Sequence, residues 1–302
     1  MNNYTQQPCC LICGSDQHSP YLKVPNRFNP QELFQLVRCK NCKFVFLSPR
    51  PDEEEILPYY DEENYQPHRQ DAISFTDKIY QGVRIWNNRY KRKLIEKLSP
   101  KGKILDYGCG TGEFLLEMKQ NDWEATGFEP SLKAREVVRS YGIEMTDDIR
   151  NLDKKYAVIT LWHVLEHVYD PDHLVQEFKK LLGESGYLLI AVPNRKSFDA
   201  KTFHKNWVAY DAPRHLYHFR PADMQRFLEK NGFILIYHKR LSFDAWYNSL
   251  LSASLESGSN RLRLVTLGLL KSLYAATVSS LSGFFNVKKN ASIIYVAQAI
   301  KN

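Results

Sequence analysis

The sequence predicts a doubly wound, Rossmann-like α/β fold: a mostly parallel seven-stranded sheet preceded by a small metal-binding unit. Three observations carry this. Extended and helical patterns alternate from residue 76 to the end, three glycines fill the turn after the first apolar strand, and five of the six cysteines lie within the first 42 residues. With 302 residues, 43% hydrophobic and 25% charged, the chain has the composition of a folded protein. That excludes disorder, a collagen-like repeat and a small disulfide scaffold.

Residues 1–50 hold the cysteines and short β-type runs such as Phe44-Val45-Phe46-Leu47. An acidic, proline- and tyrosine-rich stretch over 51–75 reads as a linker. The domain proper is expected over 76–302. Apolar residues at Ile79, Val83, Trp86, Tyr90, Leu94 and Leu98 fall three or four apart, which predicts a helix that Ser99-Pro100-Lys101-Gly102 ends.

Strands are then expected at Lys103 to Tyr107, Glu124 to Glu129, Ile143 to Met145, Ala157 to Trp162, Tyr187 to Val192, Phe233 to Lys239 and Ser292 to Ala299. Helices are expected at Gly112 to Asn121, from a Ser131 cap to Tyr141, at Asp172 to Leu182 and at Ala222 to Asn231. Right-handed crossovers then force the doubly wound arrangement. A helical insertion at about 243–290 separates the last two strands. Its stripe of Leu264, Leu267, Leu270, Tyr274, Val278, Leu281 and Phe285 is expected to pack onto the domain, with an acceptor-site lid, a homodimer face or a membrane-surface helix over 262–285 as the other readings. Lys271 and many Ser and Thr argue against a transmembrane span.

Cys10-x2-Cys13 and Cys39-x2-Cys42 are two CxxC pairs separated by 25 residues. Each pair can put two thiolates on one tight turn, and two such turns build the tetrahedral site of a structural zinc ribbon. Cys9 is adjacent and could substitute for Cys10. A closed four-thiolate site has no open position, so it is assigned no catalysis.

Asp106-Tyr107-Gly108-Cys109-Gly110-Thr111-Gly112-Glu113 joins the first strand of the sheet to its helix, and Glu129 ends the second strand, where a carboxylate can hold ribose hydroxyls. A nicotinamide fingerprint would need glycine at position 113, and Asp106 would repel a pyrophosphate. An ammonium group would be attracted instead, which favours S-adenosylmethionine. Here the sequence resembles the class I S-adenosylmethionine-dependent methyltransferases, from Ile104 to Gly112 and in the order of the elements that follow. The resemblance implies methyl transfer by in-line displacement. It puts the methionine end of the cofactor at Asp106, Gly108, Gly110 and Gly112, the ribose at Glu129, and the adenine near Asp147, Asp148 and Ile149.

Trp162-His163-Val164-Leu165-Glu166-His167 follows the fourth strand. It matches the H-x-x-E-H pattern of zinc proteases, but that pattern needs a third ligand and a helix of its own, and Val168-Tyr169-Asp170-Pro171 breaks any helix soon after. Similar segments border the cofactor in the methyltransferase group, which implies a cofactor contact for His163. A long aromatic loop follows the fifth strand, with Trp207, Tyr210, Asp211 and Pro213-Arg214-His215-Leu216-Tyr217-His218-Phe219. This run is similar to a segment of bacterial methyltransferases that carry an amino-terminal zinc ribbon. That group implies a small-molecule acceptor, of the carbohydrate or cell-surface metabolite class.

His215, His163 and Tyr210 are the candidate catalytic residues, His215 foremost as general base, with Arg214 beside it to hold an anionic acceptor. The net charge of +7 is mild, and the basic run Arg84 to Lys103 reads as a solvated helix face, so nucleic acid is not expected as a partner. The amino terminus has neither a basic nor an apolar leader pattern, which predicts a cytoplasmic protein. The competing reading is a ribbon-led RNA- or protein-binding module on a vestigial cofactor fold.

Overall fold

The computed structural model describes residues 4–7, 9–60, 75–241, 244–258 and 264–300. The amino-terminal unit comprises β1 (Tyr4–Thr5), β2 (His18–Pro25), β3 (Leu33–Cys39), β4 (Val45–Leu47) and β5 (Arg50–Pro51). The chain continues through α1 (Phe75–Glu96), β6 (Lys103–Tyr107), α2 (Glu113–Lys119), β7 (Glu124–Phe128), α3 (Leu132–Ser140), β8 (Glu144–Thr146) and β9 (Tyr156–Trp162). Then come α4 (Pro171–Leu181), β10 (Leu182–Pro193), α5 (Phe198–Phe203), β11 (Tyr217–His218), α6 (Pro221–Lys230), β12 (Phe233–Arg240), α7 (Asp244–Ser257), α8 (Leu269–Phe285) and β13 (Ser292–Ala299). Of the expected linker, residues 61–74 lie outside the described residues, as do Ser259 and Asn260 of the break in the insertion.

The main sheet has seven strands in the order β12-β13-β10-β9-β6-β7-β8. Strands β8, β7, β6, β9 and β10 are mutually parallel, and β13 runs antiparallel to both its neighbours. The reversal follows from the insertion. The chain leaves β12 at its carboxyl end and α7 and α8 return it to the same edge, so the last strand must run back. The middle of the sheet is dry: Ile104, Leu105, Val158, Ile159, Leu161, Leu188, Leu189 and Ile190 have no exposed surface, as apolar strands covered by helices on both faces require. Ser131 caps α3 by accepting from the Ala134 N–H.

The second sheet, in the order β11-β4-β3-β2, takes three strands from the amino-terminal unit and the fourth from the loop after β10. Leu47 N–H donates to the Leu216 carbonyl, Phe44 packs on Phe219 at 5.4 Å, and Lys230 and Arg220 of the α6 region donate to the carbonyls of Leu11 and Cys42. The cysteine unit is therefore docked on the loop that carries His215.

In α8 and the turn before it the burial is the reverse of the expected stripe. Leu267, Leu270, Tyr274, Leu281 and Phe285 are exposed, and the small residues Ser272, Ala275, Ala276, Ser279 and Gly283 are buried. Small side chains let the helix approach α7 and α5 closely, and Ser279 donates to the buried Asp199. The stripe of large residues is left as an outward apolar face. Among the described residues no helix is long and apolar enough to cross a membrane.

Candidate functional site

The turn from β6 into α2 sits at the carboxyl edge of the sheet, with all three of its glycines at positive φ. Gly108, at +77°, lies so close to Val164 that a Cβ would meet its Cγ2 at 2.5 Å. A Cβ on Gly110 would meet nothing within 4 Å among the described residues, so this is the stretch of backbone that a ligand can approach. Glu129, just past β7, accepts from Gly110 N–H at 2.9 Å and from Ser131 N–H at 3.0 Å. One carboxylate thus ties the glycine turn to the start of α3 and keeps lone pairs for another donor.

Asp106 is buried near the end of β6 and accepts from Thr160 Oγ1 of β9 at 2.6 Å. Burial pushes its pKa up to about 7, against the Thr160 hydrogen bond and the charge of Lys91, with Glu129 adding to the rise. Lys91 was expected on a solvated face. It turns inward instead, its Nζ lying 4.4 Å from the Trp162 ring centroid, and burial takes its pKa down to about 8 despite Asp106 and Asp244. Arg84, also on α1, pairs with Glu113 at the start of α2. So α1 closes over the glycine turn, which the charge pattern alone did not reveal.

At the adenine side, Asp147 is largely exposed and pairs with Arg135, whereas Asp148 caps the turn Ile149–Asn151 and is held below the usual carboxylate range by Arg150. Ile149 is buried. Tyr107 stacks on Phe128 at 4.3 Å, and its hydroxyl, pushed up by burial to about 12, feels Asp148 and Glu129. Asp148 therefore shares a side with Glu129.

The loops after β9 and β10 meet beyond the glycine turn. His163, at φ +58°, donates its N–H to the Ala191 carbonyl, and its ring lies between Asp244 of α7 (3.0 Å) and Glu166 (3.5 Å). Burial would lower its pKa, but the two carboxylates raise it to about 10, so near neutral pH the ring is a cation and donates. His215 places Nδ1 at 2.8 Å from the Ala209 carbonyl. A carbonyl can only accept, so the lone pair is on Nε2. His167 packs edge-on against His215 at 4.5 Å and contacts the Tyr60 hydroxyl through Nδ1 at 3.0 Å, and burial takes its pKa down to about 4. Glu166 is fully buried beside both.

Arg214 spends its guanidinium on Asp211 and on the Tyr59 carbonyl, which makes it a structural ion pair. Tyr210 is buried against Trp207 and His218, with Tyr21 and Arg195 beside its hydroxyl. Glu166, Asp244 and Lys91 were not singled out from sequence. Glu166 lay inside the H-x-x-E-H match, while Asp244 and Lys91 gave no local signal.

Cys10, Cys13, Cys39 and Cys42 bring their sulfurs within 4.8 Å of one another, with Cys10–Cys42 at 3.5 Å and Cys13–Cys39 at 3.6 Å. A tetrahedral zinc with Zn–S bonds near 2.3 Å separates its sulfurs by about 3.8 Å, so the four thiols fit that ion. Cys9 is exposed and outside the cluster.

A strand order with one reversed strand, a glycine turn after the first parallel strand and a carboxylate after the second define a class I S-adenosylmethionine-dependent methyltransferase fold. The profile of the methyltransferase domain family matches residues 80–238, and the chain belongs to that family. Among curated proteins it is similar to the ubiquinone biosynthesis O-methyltransferase of Proteus mirabilis (31% identity over 104 residues, 31% of this chain and 42% of that protein). It is also similar to the enzyme of that name from Glaesserella parasuis (27% over 172 residues, 48% and 73%). The chain spans 42%, 60% and 64% of the length of three of these relatives. Among solved structures, magnesium protoporphyrin IX methyltransferase from Synechocystis PCC 6803 with bound S-adenosylhomocysteine superposes with a TM-score of 0.52, at 14% identity, over 83% of this chain and 100% of that one. At that identity the likeness is one of fold.

Proposed function

We propose that the protein transfers the methyl group of S-adenosylmethionine to a small-molecule acceptor. The observation that carries this reading is the glycine turn itself. Gly110 is open to a ligand, Asp106 offers a buried carboxylate to an ammonium group, and Glu129 is held where a ribose would lie. Gly108 and Gly112 shape the turn, and Asp148 with Ile149 takes the adenine end in preference to Asp147. A turn kept this intact also disfavours the binding-module alternative.

The methyl then points toward the loops after β9 and β10. Methyl transfer to a hydroxyl or amine releases a proton. The available lone pair is Nε2 of His215, within the Glu166–His167–His215 cluster, while the protonated His163 borders the cofactor as a donor. Positioning of acceptor and sulfonium in line supplies most of the rate. The relatives' names point to an oxygen nucleophile, and nothing in them supports the carbohydrate acceptor expected from sequence. Zinc held by Cys10, Cys13, Cys39 and Cys42 would support the loop that carries His215 and take no part in the reaction. The outward face of α8 is a surface available for a homodimer or a membrane-surface contact, and six cysteines none of which is in a disulfide suit the cytoplasm.

Calorimetric titration with S-adenosylhomocysteine tests the reading. Binding that is weakened in Glu129→Ala and in Asp106→Ala supports it, and a wild-type protein that does not bind overturns it.

A further inference from the structure

Two loops far apart in sequence bring a glutamate and two histidines together. Glu166 and His167 lie on the turn after β9, and His215 lies on the loop between β10 and β11. One ligating atom of each falls within 4.8 Å of the other two. Glu166 has no exposed surface, and neither of its carboxylate oxygens has a hydrogen-bond partner among the described residues. The approach of His163 Nδ1 to Oε1 at 3.5 Å leaves Oε2 unanswered. The protonated His163 answers part of that carboxylate's charge, and the oxygen left bare is costly to bury unless a further group meets it. The two imidazoles are already oriented through their other nitrogens, His215 by the Ala209 carbonyl and His167 by the Tyr60 hydroxyl. Histidines that ligate metals are usually held in this way.

We propose that Glu166, His167 and His215 form a site for one divalent transition-metal cation of the Zn2+, Mn2+, Fe2+ and Co2+ class, separate from the four-thiolate site. Two imidazoles and one carboxylate match that class, and Ca2+, which takes six to eight oxygens, is a poor match. The H-x-x-E-H pattern had no third ligand in its own segment. The fold supplies one from the next loop, and His163, the first histidine of the pattern, is turned to Asp244 instead. Three protein ligands leave coordination positions open, and an acceptor hydroxyl can take one. A nitrogen that ligates a metal cannot also accept a proton, so with a cation in place the acceptor hydroxyl, its pKa lowered by the cation's charge, releases its proton to solvent water and not to His215. The inference goes beyond the methyl-transfer reading, and its test needs no methyl transfer.

The test uses the full chain with its ribbon thiols already loaded with zinc, titrated with Co2+ and, separately, with Mn2+ followed by electron paramagnetic resonance. The expected result is one further cation per chain, with cobalt d–d absorption but without the intense near-ultraviolet band of cobalt bound to thiolate. Glu166→Gln and His215→Ala should each weaken that binding by about tenfold or more, with the ribbon zinc and the circular dichroism unchanged. If His215→Ala does not fold, Glu166→Gln and His167→Gln decide the matter. Uptake only with the thiolate band, no uptake beyond the ribbon zinc, or equal uptake by the variants would each overturn the proposal, and would leave the methyl-transfer reading standing.

Discussion

Thr160 of β9 donates to the carboxylate of Asp106 on the neighbouring β6, at 2.6 Å in the dry centre of the sheet. The bond favours the charged form of an acid that burial would otherwise neutralise, and the balance leaves Asp106 near pKa 7. Lys91 and Glu129 are the other charges that face it.

This balance predicts a pH dependence for cofactor binding. Only the carboxylate attracts the ammonium of S-adenosylhomocysteine. Below about pH 7 binding must first displace a proton, so affinity should fall as the pH drops, approaching tenfold per pH unit, and level off above. Thr160→Val removes a contact that lowers the pKa and should move the midpoint upward, and Asp106→Asn should flatten the profile. Calorimetry between about pH 5.5 and 8 checks this, and a slope that survives Asp106→Asn would assign the titration elsewhere.

Glu129→Ala should weaken S-adenosylhomocysteine binding by about 1.5–3 kcal/mol, the value of hydrogen bonds to a charged group. Glu129→Gln, which keeps one acceptor oxygen for the Gly110 or the Ser131 N–H but sets its NH2 against the other, should lose less. Equal affinity of all three proteins would put the ribose elsewhere.

The sheet, its order of elements and the glycine turn were legible because each follows from local pattern: apolar runs, caps, and glycines where a turn needs positive φ. The two CxxC pairs were legible for the same reason. What escaped depended on contacts between distant segments. Lys91 belonged to a run of cations that looks solvated, and only the packing of α1 over Asp106 turns it inward. The stripe in α8 was read as a packing face because large apolar residues usually are. The small residues Ala275, Ala276 and Ser279 won the interior because they allow closer approach of the helices. Arg214 looked like an anion hook, but its partner Asp211 lies three residues away in the same loop.

That ion pair carries a stability prediction. Arg214 is buried and Asp211 largely so, and although burial would raise the acid's pKa, the charges of Arg214 and His215 bring it down to about 2. The carboxylate therefore stabilises the fold above its unfolded-state pKa, and that contribution is lost as pH falls through the folded value. Arg214→Ala leaves the charge uncompensated and should cost about 3–5 kcal/mol in urea unfolding near neutral pH. Arg214→Met with Asp211→Asn should cost clearly less, and a double variant as unstable as the single one would contradict the pairing.

His215→Ala separates binding from chemistry. With Nε2 gone, S-adenosylhomocysteine affinity should stay within about twofold while methyl transfer falls by roughly 10^2 or more, the usual scale for losing a group that handles a proton. His163→Ala should act on cofactor affinity as well, because His163 follows β9 directly and ties it to Asp244. Full activity in His215→Ala would mean that the acceptor needs no protein group to release its proton.

The ribbon should matter to the reaction without touching it. Strand β11 begins two residues after His215, pairs with β4, and follows the Leu216 carbonyl that accepts from Leu47. The cysteine unit is thus the platform on which the His215 loop rests. Purified protein should contain about one zinc at the four thiolates, and Cys39→Ser should lose it, because Cys39 is the buried end of β3. The second sheet should then loosen and the transfer rate fall. Cofactor affinity should change little, since Asp106 lies on the other sheet and Gly110 and Glu129 on the turns that leave it. Cys9→Ser, at an exposed cysteine outside the cluster, should behave as wild type. Metal analysis, hydrogen exchange over residues 33–47 and 215–219, and paired rate and affinity measurements read these outcomes. Cofactor binding lost in parallel with zinc would mean that the two units unfold together and that the ribbon holds up the whole domain.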